Sequence, residues 1–97
     1  MDLQPYRAHI DALDDEIVRL FAQRMDIVAE LMRLKREEGI GPEDAGREAA
    51  IIERLSAQVP EDLRPSVARL YTTIFSIGKD LASCPETPEK EFFSKEI

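Results

Sequence analysis

Residues 3–38 read LQPYRAHIDALDDEIVRLFAQRMDIVAELMRLKREE, a stretch with no glycine and a single proline at position 5. Apolar residues recur through it at Ile10, Leu13, Ile17, Leu20, Ile27, Leu31 and Leu34. Steps of three and four keep side chains on one face of an α-helix, so the spacing predicts one long helix. A second stripe, Phe21, Met25, Val28 and Met32, runs beside the first and ends on Lys35. Arg24 interrupts the first seam between Leu20 and Ile27. A cation on an apolar face needs an anionic partner, which sets Arg24 apart from the charges of an ordinary solvated helix face.

The length of this helix constrains the assembly. About 35 residues at a rise of about 1.5 Å span about 50 Å, whereas a compact domain of this chain length has a radius of gyration of about 12 Å. One such chain cannot wrap its own longest helix, and the wide apolar face argues against leaving it bare. A homodimer is therefore expected.

The rest of the chain supports an all-α fold of one domain. Asp2 is placed to cap the first helix and Pro5 is tolerated only in its first turn. Gly39-Ile-Gly-Pro42 ends it, with a left-handed glycine and a missing proline amide. Glu43 and Asp44 then introduce a short helix to about Gln58, with Ala49, Ile52 and Leu55 on its apolar side. After Val59-Pro60, residues Leu63, Val67, Leu70, Ile74, Ile77 and Leu81 repeat at helical spacing, predicting a third helix over 61–83. Residues 84–97 contain Pro-Glu-Thr-Pro-Glu-Lys-Glu and are expected to form a flexible tail behind a domain at 1–83.

Composition excludes several function classes. The formal net charge of -7, from 13 Lys and Arg against 20 Asp and Glu, disfavours nucleic acid or an anionic membrane as partner. Cys84 is the only cysteine, which leaves no internal disulfide and no Cys-rich metal site. His9 is the only histidine and reads as a surface residue; no metal is expected. No stretch approaches the roughly 20 apolar residues of a membrane span, so a soluble, cytoplasmic protein is expected. No Ser-His-Asp arrangement or phosphate-binding glycine loop is evident.

The cations carry the remaining signal. Arg24 and Lys35 are eleven positions apart, about 20° around the helix and about 16 Å along it, so their long side chains can converge on one small ligand. Arg7 lies about 25 Å before Arg24, too far to join them on the same helix. On an antiparallel partner, Arg7 would face the far half of this helix and give a site built by two chains. Arg47 stands near the start of the second helix, where backbone amides can meet an anion.

Tyr6-Arg-Ala-His-Ile-Asp-Ala-Leu-Asp14, Arg24-Met25, Lys35 and Asp44-Ala-Gly-Arg47-Glu48 together resemble the all-helical, type II class of chorismate mutase. Leu70-Tyr-Thr-Thr-Ile-Phe75 is similar to the third helix of that family, and the resemblance extends over residues 3 to about 82. It implies an intertwined homodimer with two equivalent sites that rearranges chorismate to prephenate in aromatic amino-acid biosynthesis. The reaction is an intramolecular pericyclic shift without cofactor, nucleophile or general base. Such a site acts by holding the compact conformer of the dianion and stabilising charge on the breaking ether bond.

The same resemblance implies the roles. Arg24 and the partner's Arg7 would clamp the two carboxylates, Lys35 would reach the ether oxygen and a carboxylate, and Glu48 would accept from the ring hydroxyl. Asp44 and Arg47 would shape the mouth. Catalysis would rest on Arg24, Lys35 and Glu48. The family commonly completes the site from the third helix with a Ser and, four residues later, a Gln or Glu. Gly78 and Ala82 stand there in this chain, and neither side chain can donate. One missing donor to developing charge costs on the order of 10²- to 10³-fold in rate. Lys79 and Ser83 adjoin these positions but turn about 100° or more away. The departure leaves several readings open. Lys35 or a water serves the ether oxygen, or the small pair admits an amino-substituted chorismate; separately, the same fold can carry pyruvate elimination from isochorismate. Alternatively the chain is a metabolite-binding or dimerisation domain with little catalysis, or Gly78 and Ala82 serve close helix packing.

Overall fold

The computed structural model describes residues 1–82; the tail expected at 84–97 lies outside the described residues. Three α-helices follow one another: α1 (Gln4–Glu37), α2 (Ala45–Ser56) and α3 (Arg64–Ala82), and among the described residues there is no strand. The long, short and medium order matches the hydrophobic periodicity.

The helix ends follow from local chemistry. Pro5 sits in the first turn of α1, where its missing N–H removes no helical bond. The Asp2 carboxylate accepts from the Gln4 N–H at 3.0 Å and satisfies one of the free amides of that turn. At the other end Gly39 takes φ 74. Its N–H reaches the Arg36 carbonyl at 3.1 Å, while the Ile40 N–H reaches that of Lys35 at 2.8 Å. This pair of bonds closes the carbonyl end of the helix in a Schellman motif, and only glycine adopts the required backbone without strain. Asp44 caps α2 by accepting from the Arg47 N–H at 3.1 Å.

One boundary differs from the sequence expectation. The third helix was expected from residue 61, but Glu61–Leu63 form a 3₁₀ turn and the α-helix starts at Arg64. Pro65 has no N–H to give to the carbonyl of Glu61, so the chain closes its first turn with a three-residue bond, Leu63 N–H to Pro60 carbonyl at 3.0 Å. Arg64 fixes the junction: its Nε donates to the Ser56 and Val59 carbonyls at 3.0 and 3.2 Å.

The core is small and takes one buried side chain from each helix: Met25, Ile51 and Phe75. α3 packs against both α1 and α2. It approaches α1 closely at Gly78, where an added Cβ would stand 3.2 Å from Val28 Cγ1. The described residues measure 57 × 34 × 15 Å with a radius of gyration of 16.3 Å, well above the roughly 12 Å of a compact chain of similar length. The excess comes from α1. Residues 4–20 are exposed throughout, and the seam residues Ile10, Leu13, Ile17 and Leu20 are 52–62% exposed.

Candidate functional site

A cavity of about 510 Å³ opens between the second half of α1, the segment leading into α2, α2 itself and α3. α1 supplies Arg24, Val28, Met32 and Lys35 to its wall, α2 supplies Arg47, Glu48 and Ile51, and α3 supplies Ile74, Phe75, Gly78 and Lys79. Pro42 and Asp44 complete the rim. Four cationic side chains therefore face two carboxylates across apolar walls, an excess of positive charge suited to an anionic ligand.

Arg24 is half-buried, and what the chain places against it is aromatic. Its guanidinium carbon lies 5.7 Å from the centre of the Tyr71 ring and 5.6 Å from that of Phe75. The two rings meet edge to face at 5.9 Å. The sequence led to an anionic partner for this cation; the fold gives it the negative faces of two rings instead, and leaves its hydrogen-bond donors for another acceptor. Lys35 follows along the same face as its spacing requires, with its Nζ 3.5 Å from the Pro42 carbonyl.

The start of α2 differs from the expectation of free amides for an anion. The Arg47 N–H is taken by the Asp44 side chain at 3.1 Å, and the Glu48 N–H by the Asp44 carbonyl at 3.0 Å. Asp44 thus serves as the cap, and Arg47 meets the cavity through its exposed side chain. The Glu48 carboxylate is paired with Lys79, Nζ to Oε2 at 2.9 Å, and the same ammonium holds Glu43 at 3.0 Å. Hydrogen bonds from Lys79 to Glu48 and then to Glu43 raise the lysine pKa above its ordinary value.

Of the residues expected in a site, Arg24, Lys35, Asp44, Arg47, Glu48 and Gly78 share this cavity. Ala82 is the last residue of α3, one turn beyond Gly78. Arg7 stands apart, exposed on the first half of α1. Lys79 is the residue that sequence reasoning turned away from the site. Its angular offset from Gly78 is real, but a four-carbon stem carries the ammonium around the helix to the cavity wall. The signal available in the sequence was its spacing from acidic Glu43 and Glu48, which only the packing of α3 on α2 turns into an ion pair.

Beside the cavity, and sharing Ile27 and Leu31 with its wall, the exposed seam of α1 forms a shallow depression lined by Asp26, Ile27, Glu30, Leu31 and Leu34. Asp26 Oδ1 is buried there without a hydrogen-bond partner among the described residues. No helix among the described residues is long and apolar enough to cross a membrane.

Fold and cavity together define an all-helical protein with a cation-lined site between its helices. The chain belongs to the chorismate mutase type II family, whose model matches residues 6–83. Among curated proteins it is similar to the T-protein of Haemophilus influenzae, with 32% identity over 74 residues, covering 71% of this chain and 20% of that relative. The matched stretch thus spans about a fifth of the relative's length. No solved structure matches the chain.

Proposed function

We propose that this chain is a chorismate mutase, rearranging chorismate to prephenate for aromatic amino-acid biosynthesis in the cytoplasm, with residues 1–83 as the catalytic domain. The observation that carries this reading is the convergence of Arg24 and Lys35 from α1 with Arg47 and Glu48 from α2 in one apolar-walled cavity. A pericyclic rearrangement of a dianion asks for little else: cations to fix two carboxylates in the compact conformer, a donor for the ether oxygen, and walls that exclude water. Arg24 clamps one carboxylate, Lys35 serves the ether oxygen and a carboxylate, Glu48 accepts from the ring hydroxyl, and Asp44 and Arg47 form the mouth. No cofactor or metal enters.

The working unit in this reading is an intertwined homodimer. The exposed seam of α1 supports it, because a row of half-exposed isoleucines and leucines along a helix with no described partner is a large apolar surface to leave in water. Arg7, remote from the cavity of its own chain, then completes the cavity of the other. Gly78, packed 3.2 Å from Val28 at the position of an added Cβ, favours a second reading in which α3 is optimised for packing and turnover is low, with the chain acting as a metabolite-binding domain.

Loss of chorismate absorbance with purified protein, and identification of prephenate as product, tests the proposal. Arg24→Ala is expected to lower kcat/KM by roughly 10²- to 10³-fold. Pyruvate and salicylate as products, or no turnover combined with no binding of a bicyclic transition-state mimic, would overturn it.

A further inference from the structure

Lys79 is the only α3 residue on the cavity wall with a polar side chain, its neighbours there being Ile74, Phe75 and Gly78. Its side chain is 24% exposed, and its ammonium is paired with Glu48, which lines the same cavity. An ammonium has three N–H donors. Glu48 and Glu43 account for two of them, at 2.9 and 3.0 Å. The cavity otherwise presents an awkward combination, since a carboxylate facing a bound dianion repels it unless a cation stands beside it. Lys79 is that cation for Glu48.

We infer that Lys79 is a further substrate-binding residue, the α3 group that donates its remaining N–H to an oxygen of a bound ether dicarboxylate. The inference rests on the mutase reading above and deepens it. Pairing with two carboxylates makes Lys79 a fixed and partly neutralised donor rather than a free positive charge. Such a group suits an oxygen that gains charge as a bond breaks, because its direction is set before the ligand arrives. Its raised pKa keeps it protonated through the neutral range. The donor expected from the side chains at 78 and 82 thus comes from the position between them.

The test compares wild type, Lys79→Met, Lys79→Arg, Glu48→Gln and the double variant Lys79→Met/Glu48→Gln. It reads kcat and KM on chorismate and calorimetric binding of a bicyclic ether dicarboxylate that mimics the transition state. Lys79→Met is expected to lose about 10²-fold in kcat/KM, mostly in kcat, with its helical circular dichroism unchanged; Lys79→Arg retains a donor and stays within about tenfold of wild type. The double variant stays below Glu48→Gln alone, because removing the repulsion does not replace the donor. Should Lys79→Met not fold, Lys79→Gln, with a shorter uncharged donor, is expected to lose about tenfold. Activity of Lys79→Met within about twofold of wild type, or recovery of the double variant to the level of Glu48→Gln, overturns the inference while the mutase reading stands. A wild type that neither turns over chorismate nor binds the mimic overturns both.

Discussion

Residues 4–20 and 21–37 of α1 share one apolar periodicity, yet the first half is exposed at every residue while the second holds Met25, the most buried side chain of the described chain. The difference lies in the second stripe. Phe21, Met25, Val28 and Met32 are buried or half-buried, Val28 lying against Gly78 of α3, but stepping back from Phe21 by sevens along the same face gives Asp14 and then Arg7. The covered stripe stops at Phe21, whereas the seam of Ile10, Leu13, Ile17 and Leu20 continues towards the start of the helix. Periodicity shows which face is apolar; which neighbour covers it depends on where a second face begins and ends.

Breaking the first half should have the largest effect. Ile17→Glu is expected to turn a dimer of twice the 11.0 kDa chain mass into a monomer and to abolish activity, as read by sedimentation and turnover. An unchanged mass would mean that the exposed seam does not pair the chains. A milder test mixes two inactive variants, Arg7→Ala and Arg24→Ala. In a one-to-one mixture, mixed dimers contain one intact site of two, so activity should return to about a quarter of wild type if each site draws on both chains. Absence of recovery would return Arg7 to the role of a surface charge.

The second half is better probed through stability. Met25→Ala should cost about 2–5 kcal/mol at every protein concentration, since it empties a contact made within the chain. Ile17→Ala should instead weaken the concentration dependence of the melting temperature. The smallest effect concerns pH. Lys79 has a folded-state pKa raised above 10.5, so its ion pairs contribute stability that is fully present below that value and lost as pH rises through the higher one. Chemical denaturation of Lys79→Met should therefore lack that part of the alkaline fall, and an identical alkaline limb would show the pairs to be energetically idle.

Much of the fold was legible in the sequence because each of its elements is fixed locally. The three- and four-residue steps of α1 and the glycine at 39 act through neighbours along the chain, and the structure places both where the residues ask; Asp44, expected in the acidic first turn of α2, caps it instead. The 3₁₀ turn at Glu61–Leu63 was also local, being set by the missing amide of Pro65, though helical spacing alone hides it. From spacing alone the site was legible only where it lies on one helix; Asp44, Arg47, Glu48 and Gly78 were reached through the family resemblance. Arg24 and Lys35 share a face by arithmetic. Their relation to Glu48, Lys79 and the rings of Tyr71 and Phe75 depends on how helices from separate parts of the chain are set against each other, and no spacing within one helix contains that information.

The setting of Arg24 has a consequence for how a ligand arrives. A free arginine searches many rotamers, and fixing it on binding costs about 1–2 kcal/mol in lost side-chain entropy. With its guanidinium already resting on Tyr71 and Phe75, that ordering is complete once the chain has folded. If Arg24 takes a carboxylate, as proposed, part of that ordering cost is met on folding and no longer counts against affinity. Replacing Tyr71, which supports Arg24 from outside the cavity wall, by an aliphatic residue would then weaken binding without changing a residue that lines the cavity.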